Sequence, residues 1–247
     1  MMDKINIATP ALKGNYAPCF HEVSVISSCT YMSQGLVHLC QGVKCVARPY
    51  LIDFFSAYYL SRGPHILTSE KLFIPHHHYV VHLSTELNTV LADLMTLIVL
   101  VNNLPLTSTV TVLSKWPPDF IYHTLRLNLH KRIALAKCRW IRAKSSLPDI
   151  CSTIPYPSPQ TVAVMLERGV ENAAAPSRYI GLTYFEIKML TLFFSRPNPE
   201  RRSAEMRSKT FYHHKLSGLR KLAQLPGKEG QAFAGLIHSP QKPLCTP

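Results

Sequence analysis

Short apolar runs alternate with stretches of helical periodicity along the first 154 residues. The runs are rich in residues that favour extended backbone, and they predict strands at residues 22–27, 43–47, 79–84, 109–114 and, more weakly, 138–143. The stretches between them predict helices at residues 31–39, 50–61, 86–103, 119–127 and 147–154. Such alternation predicts an α/β domain over residues 22–154, a five-stranded parallel sheet with flanking helices, after an N-terminal extension of residues 1–21.

These patterns stop at a proline-rich segment. Pro155, Pro157 and Pro159 cannot sustain a helix or a sheet ladder, and an alanine-rich stretch follows at residues 169–180. We therefore predict a linker over residues 155–180, with a brief helix at 160–168, and a second, all-α domain over residues 181–247.

The second domain opens with a sequence that predicts a helix start. Thr183 and Glu186 have the spacing of a capping box, in which each side chain accepts the backbone N–H of the other residue. Apolar residues follow at near-helical spacing, at positions 187, 189, 190, 193 and 194. Pro197 and Pro199 end this helix, and a short second helix is predicted over residues 200–206.

A third helix is predicted after Ser208, whose hydroxyl can cap its first turn. Helical periodicity places Phe211, Leu219, Leu222 and the stem of Lys215 on one side. The opposite side collects polar, basic and aromatic residues, namely Lys209, Tyr212, His213, Leu216 and Arg220. Two short helices and a basic third one are what a helix-turn-helix needs to place a helix in the major groove of DNA.

This segment resembles the DNA-binding domain of the LuxR-type transcription regulators. Leu182-Thr183 with Glu186 and Leu190 is similar to the family's opening, and Lys209-Thr210-Phe211, His214 and Arg220-Lys221-Leu222 are similar to its recognition helix. The resemblance implies two sets of DNA contacts on that helix, with Arg220 on the same exposed face. By this resemblance, base edges would be contacted by Tyr212, His213 and Leu216. Phosphates would be contacted by Lys209, Thr210, His214 and Lys221.

The middle of the segment departs from the family pattern. Ser195-Arg196 stand where the family has a glycine, Arg202-Ser203 stand where it has Ile-Ala, and the next turn is about two residues short. A guanidinium cannot be buried unpaired without a large cost, so Arg202 should point outward or pair with an acid such as Glu186 or Glu205.

The first domain resembles the receiver domain of response regulators. Ser28-Cys29-Thr30-Tyr31 with Gly35-Leu36 is similar to the opening of the auxiliary regulators related to RcsA and BglJ. Receivers hold Mg²⁺ through carboxylates at the ends of the first and third strands, and one of these carboxylates accepts phosphate.

Those carboxylates are missing from this sequence. Ser27 and Ser28 stand where the acidic pair would be, Ser84 stands near the acceptor position, and only Ser114 and Lys144 match the receiver's hydroxyl and lysine. The resemblance implies a pseudo-receiver that binds no metal or cofactor and forms no aspartyl-phosphate. It also implies heterodimerisation with a phosphorylatable response regulator.

The excess of basic residues is concentrated in the second domain. The chain carries 27 Lys and Arg against 14 acidic residues, and residues 181–247 alone carry a net +7. Phosphate neutralisation supplies most sequence-independent affinity for DNA, so this part is expected to touch DNA. The seven scattered cysteines form no C-x-x-C pair and predict reduced thiols in the cytoplasm. We find neither a secretory signal nor an apolar run long enough to span a membrane.

Three further features admit simpler interpretations. His76-His77-His78 with His82 could suggest a metal site, but a solvated loop entering the third strand is favoured because neighbouring strand residues point in different directions. Cys29 is interpreted as a small core residue rather than a nucleophile. Trp116 could either anchor a partner or pack in the core.

Together these patterns predict a DNA-binding transcription regulator that is not itself phosphorylated. One recognition helix reads few bases, so we expect a homodimer or a heterodimer with a LuxR-type response regulator. The alternative is an interaction-only protein that titrates such a partner without binding DNA. An enzyme is disfavoured, because the 247 residues contain no clustered acid–base set and no glycine-rich phosphate loop, and no small-molecule substrate is evident.

Overall fold

The computed structural model describes residues 22–42, 46–50, 77–105, 108–130, 132–142, 145, 150, 179–195 and 208–238. The elements are β1 (Glu22–Ser27), α1 (Thr30–Gly42), β2 (Val46–Tyr50), β3 (His78–His82), α2 (Leu87–Asn103), β4 (Thr109–Ser114), α3 (Pro118–Asn128), a 3₁₀ helix (Arg132–Lys137), β5 (Cys138–Arg142), α4 (Tyr184–Ser195), α5 (Lys209–Leu222) and α6 (Lys228–His238).

The strands pair in parallel in the order β2-β1-β3-β4-β5. A parallel sheet with flanking helices was expected from the alternating pattern, and this architecture is confirmed. β2 begins at Val46, three residues later than predicted, and it includes Pro49. A residue without a backbone N–H is tolerated there because β2 lies at the end of the strand order.

Several predicted segments lie outside the described residues. They are the N-terminal extension, most of the helices predicted at 50–61 and 147–154, the greater part of the 155–180 linker and the short helix at 200–206. The last of these contains Arg202 and Ser203. The boundaries predicted between the domains therefore stay predictions.

The two faces of the sheet bury alternate residues. Along β3, Val80 belongs to one hydrophobic cluster, and Tyr79 and Val81 belong to another. This division follows from the strand geometry, in which successive side chains point to opposite faces. Leu36 and Cys40 of α1 cover the first face. Helices α2 and α3 cover the second.

Helix α2 is apolar on nearly all sides and almost wholly buried. Leu94, Leu97 and Ile98 have no exposed surface. A helix without a polar face is normally enclosed, and α2 belongs to the sheet's hydrophobic cluster and also contacts α4. Ile187 and Leu190 of α4 join the same cluster. One continuous core therefore runs from the sheet into the C-terminal helices.

The segment before α4 is tied directly to α3. The hydroxyl of Thr124 accepts the backbone N–H of Leu182 at 3.1 Å, and the side-chain amide of Asn128 donates to the Leu182 carbonyl at 2.8 Å. At Gly181, a Cβ atom would lie only 2.3 Å from the backbone carbon of His123. This approach requires a residue without a side chain, and it fixes where the C-terminal helices begin.

The histidines near β3 are not in a solvated loop, and that prediction is wrong for His77 and His78. Both are buried, at 3% and 0% exposure. His78 lies within hydrogen-bond distance of the hydroxyls of Thr109 and Thr111 on β4, at 2.7 and 3.1 Å, and His77 lies 2.8 Å from the hydroxyl of Ser24 on β1. Burial is tolerated because hydroxyl groups satisfy the ring nitrogens. His76 lies outside the described residues.

Trp116 packs in the core rather than on the surface. It is 4% exposed and meets Phe120 edge-on, with ring centroids 5.4 Å apart. Cys29, interpreted from the sequence as a core residue, is instead exposed, because it lies in the turn between β1 and α1.

Candidate nucleic-acid interface

Helix α4 begins with the predicted capping box. The Thr183 N–H donates to the Glu186 carboxylate at 2.7 Å, and the Glu186 N–H donates to the Thr183 hydroxyl at 3.3 Å. These reciprocal bonds satisfy two of the backbone N–H groups that a helix start leaves unpaired. The start of α4 is therefore fixed by its own sequence.

Glu186 also joins α4 to α5. The Ser217 hydroxyl donates to its carboxylate at 2.6 Å, and the Lys221 ammonium lies 2.7 Å away in an ion pair. Burial alone would raise the pKa of this carboxyl group, but the hydrogen bonds from Lys221, Ser217 and the Thr183 N–H outweigh it and lower the pKa. Glu186 is thus held ionised beside Lys221. Arg202, which the sequence predicted could point outward or pair with this carboxylate, lies outside the described residues.

The two helices approach closely at Gly218. A Cβ atom at this position would lie 2.7 Å from Cδ1 of Leu190 and 3.4 Å from Cβ of Glu186. Glycine therefore lets α5 lie against α4 where the ion pair forms. Met189 and Phe211 form a second small apolar cluster between the same two helices.

Helix α5 has the predicted cap and the predicted buried side. The Phe211 N–H donates to the Ser208 hydroxyl at 3.1 Å. Phe211, Leu219 and Leu222 are buried, and the Lys215 side chain is only 6% exposed. Its ammonium lies 4.4 Å from the centroid of the Phe193 ring, a cation–π distance. Lys215 is therefore part of the packing rather than of the exposed surface.

The opposite side of α5 is open to solvent. We call it the α5 outer face, and its exposed residues are Lys209, Thr210, Tyr212, His213 and Arg220. Leu216 is half-buried between them. Tyr212 has 41% of its surface exposed, although it is aromatic. The face thus presents two cations, a hydroxyl, an aromatic ring and an imidazole along one helix.

Two of the eight predicted contact residues are partly engaged elsewhere. Lys221 is 17% exposed and committed to the Glu186 ion pair. His214 is half-buried and stacks on Phe185, with ring centroids 5.7 Å apart and planes inclined by 25°. Six of the eight predicted residues therefore lie together, as the five exposed residues of the α5 outer face and the half-buried Leu216. The other two, His214 and Lys221, contact side chains of α4.

Phe185 is a surface residue that sequence reasoning missed. It is 56% exposed on the first turn of α4, beside His214. A single exposed aromatic residue next to a capping box carries no sequence signal of its own. Only the observed packing of α4 against α5 places it at the edge of the α5 outer face.

The carboxyl edge of the sheet carries hydroxyl groups, including those of Ser27 and Ser114. The Ser27 hydroxyl lies 3.1 Å from Nδ1 of His82, and the Ser114 hydroxyl accepts the Trp116 N–H at 3.0 Å. Burial lowers the pKa of His82, and the positive charge of Lys115 lowers it further. Lys144 lies outside the described residues. This edge is therefore occupied by a network of short polar side chains.

One carboxylate does reach this edge, and it comes from a helix. Asp93 of α2 is 1% exposed, and its Oδ2 accepts the Ser84 N–H at 2.7 Å and the Ser28 hydroxyl at 3.1 Å. Its Oδ1 has no hydrogen-bond partner. Burial raises the pKa of Asp93 to about 6, against the lowering effect of its two hydrogen bonds. Its role was not predicted from the sequence, because a lone acid beside an apolar run resembles a helix boundary.

In the part of the chain that the structure describes, no group of three histidine, cysteine, aspartate or glutamate side chains lies close enough to hold a metal ion. Within the same residues, each helix is too short or too polar to cross a bilayer.

No protein-family profile and no curated protein sequence matches this chain. Among solved structures, RcsB from Salmonella enterica serovar Typhimurium, bound to promoter rprA in the presence of the phosphomimetic BeF3-, is similar to it. The similarity covers 86% of this chain and 97% of that one, with a TM-score of 0.42 and 14% sequence identity. At this distance the likeness carries no functional inference, and the chemistry of the described residues must supply one.

Proposed function

We propose that the chain is a DNA-binding transcription regulator that contacts DNA through the α5 outer face. The observation that carries this proposal is the division of α5 into a buried side, anchored by Phe211, Leu219 and Leu222, and a solvent-facing side that holds Lys209 and Arg220. An exposed helix of this kind can enter the major groove, where side chains reach base edges.

The exposed residues divide into two kinds of contact. Lys209 and Arg220 carry the charges that phosphates attract, and Thr210 adds a hydroxyl that can donate to phosphate. Tyr212, His213 and the half-buried Leu216 project between the two cations and are suited to base edges. Lys221 has a structural role in this proposal, because its ammonium is held by Glu186.

A single α5 outer face offers few phosphate contacts. Lys209 and Arg220 are the two exposed cations among its described residues, so each helix neutralises about two phosphates. We propose that the regulator binds DNA as a homodimer or as a heterodimer with a LuxR-type response regulator, because two such helices double both the charge and the bases read. Titration of that partner without DNA binding is the competing function.

The sheet domain is proposed to act without phosphorylation. Ser27, Ser28 and Ser84 offer hydroxyls where phosphotransfer would need carboxylates. The carboxylate of Asp93, which lies nearby, is buried and already accepts two hydrogen bonds. Incubation with beryllofluoride and Mg²⁺ should leave the thermal midpoint and the DNA affinity unchanged. A clear rise in either would contradict this part of the proposal.

Binding to DNA at several salt concentrations tests the main proposal. Lys209→Ala should weaken binding to specific and random DNA alike and reduce the salt slope by about one unit. His213→Ala should instead relax preference at one base position, at a cost of roughly 1–3 kcal/mol for the preferred site. Genome-wide mapping of bound DNA would supply that site.

Arg126→Ala is the matched control, since Arg126 is a half-buried cation on α3 and is not one of the residues of the α5 outer face. It should change neither affinity nor salt slope by more than a small amount. If Arg126→Ala and Lys209→Ala weaken DNA binding equally, α5 is not the element that contacts DNA. If wild-type protein binds no DNA with or without a partner regulator, the titration function is supported instead.

A further inference from the structure

A cavity of about 720 Å³ lies between the sheet and the C-terminal helices. It is bounded by the carboxyl ends of two strands, at Ser114 of β4 and Arg142 of β5, and by the first residues of α3 and α6. Its volume is within the range of small-molecule sites, and the carboxyl ends of parallel strands are where open α/β sheets usually bind ligands. The α5 outer face, on which the proposed function depends, contributes no residue to its lining.

Three cations from three separate parts of the fold converge on this cavity. They are Lys115 after β4, Arg142 at the end of β5 and Lys228 at the start of α6, and all three are exposed. Two carboxylates, Asp119 and Glu229, line it as well. Among the described residues, no ion pair joins any of these five side chains to another side chain.

Much of the rest of the wall is apolar. Trp116 is buried beneath the cavity, and Tyr179 and three prolines complete the lining. Aromatic and proline side chains lose little conformational freedom when a ligand packs on them. A planar apolar group can therefore rest here while its charged group meets the cations.

We propose that this cavity binds a small organic anion that combines a phosphate or carboxylate group with a planar apolar body. The anionic group would lie among Lys115, Arg142 and Lys228, and the apolar body would lie against Tyr179 and the prolines, above the buried Trp116. A cationic or neutral ligand fits less well, because the cations outnumber the carboxylates.

The starts of α3 and α6 favour the same sign of charge. Pro117 precedes α3 and makes no side-chain cap, and Gly227, which precedes α6 at φ 79°, has no side chain with which to cap it. The first N–H groups of a helix carry partial positive charge. Both helix starts thus add to the attraction that the three cations supply.

Such a ligand would bridge two parts of the molecule. Lys115 and Arg142 belong to the sheet domain, whereas Lys228 belongs to α6, which packs on α5. A ligand that contacts both parts stabilises their packing by mass action. Binding should therefore raise the thermal midpoint of the whole chain, and this readout does not require DNA.

Calorimetric titration of the full chain with phenyl phosphate tests the proposal, with phenol and inorganic phosphate as half-ligands. We expect phenyl phosphate to bind at least tenfold more tightly than either half-ligand. Trp116 fluorescence should change with it, measured in a Trp140→Phe background because the chain has two tryptophans. Lys228→Ala, at an exposed position, should weaken phenyl phosphate binding at least fivefold without changing the melting of the unliganded protein.

Arg126→Ala is again the control and should leave the affinity for phenyl phosphate unchanged. Arg142→Ala provides a second test from the sheet side and should weaken binding as Lys228→Ala does. The proposal is overturned if phenyl phosphate fails to bind at millimolar concentration, or if Arg126→Ala weakens it as much as Lys228→Ala does. Since no DNA is present, this failure is distinguishable from failure of the DNA-binding function.

Discussion

The Asp93 carboxylate is out of water, although one of its oxygens accepts no hydrogen bond. Ionising it in this position costs free energy, because burial disfavours the charged form more than the Ser84 N–H and the Ser28 hydroxyl favour it. The pKa of Asp93 in the folded state is therefore about 6 instead of the usual 3.8, and the carboxyl group keeps its proton up to about that pH. Protonation of Asp93 should consequently make the free energy of unfolding depend on pH.

The sign follows from proton binding. Between about pH 4 and 6 the folded state binds more protons at Asp93 than the unfolded state does, so the free energy of unfolding falls as pH rises, by about 3 kcal/mol in all. Asp93→Asn should remove this fall and make the protein more stable than wild type at pH 7.5, with little difference at pH 4. Urea unfolding of wild type and Asp93→Asn between about pH 4 and 7.5 measures the difference in their free energies of unfolding.

Asp119→Asn is the matched control, because Asp119 is an exposed carboxylate on α3. It should leave the slope of stability against pH nearly unchanged between pH 4 and 6. Equal pH dependence in wild type and Asp93→Asn would mean that Asp93 is not buried as described.

Residue roles of this kind were only partly accessible from the sequence. The caps at Thr183 and Ser208 depend on neighbours within three residues, so their spacing alone predicted them. The partners of Asp93, Lys221 and His78 lie 9 to 65 residues away along the chain. Only the fold brings such partners together, and no local pattern encodes them.

At the scale of elements, periodicity predicted the strands and helices in which apolar residues recur at regular spacing. Strand β4 and helix α5 were predicted at their observed limits. Thr and Val alternate along β4, although all six of its residues are buried, and the apolar residues of α5 recur at helical spacing. Helix α6 was missed. Its sequence contains Gly230 and Gly235, which weaken intrinsic helix preference, and it is held by the packing of Phe233 in the core.

The contact between α4 and α5 makes a prediction at this scale. Gly218→Ala should lower the free energy of unfolding by about 1–2 kcal/mol, because the new methyl group would meet Leu190 at 2.7 Å and the overlap outweighs the gain in helix propensity. Gly235→Ala, in α6 with no atom within 4 Å of the added Cβ, should instead raise it by about 0.5–1 kcal/mol. Chemical denaturation of both variants measures the difference, and the same sign in both would contradict the close packing described at Gly218.

At the scale of the whole molecule, the C-terminal helices share a core with the sheet domain. The proline-rich pattern after residue 154 predicted a linker between separable domains. The described residues show Leu182 bonded to α3 and Ile187 in the cluster that includes α2. Sequence patterns locate where regular structure stops, but they do not report how two parts pack, since that depends on the shapes of surfaces distant along the chain.

Gly181 makes this packing testable. A side chain there would overlap the backbone of α3 at 2.3 Å, and backbone cannot move aside cheaply. Gly181→Ala should therefore loosen α4 from α3, with increased hydrogen exchange at Leu182 and in α4 and a lower thermal midpoint. Gly35→Ala on α1, with open space around the added Cβ, is the control and should not lower the midpoint. Unchanged exchange in Gly181→Ala would show that the two helices are not held together at this point.

The enclosure of α2 limits how this protein could be rearranged by recombination. If residues 179–238 were grafted onto another α/β domain, Ile187 and Leu190 would lose the surface of α2 that now covers them. A functional chimera would need to carry α2 and α3 with the graft, and these helices are separated from it in sequence by β5 and the linker. New combinations of this sheet and these helices should therefore arise by substitution at their shared core rather than by exchange of whole segments.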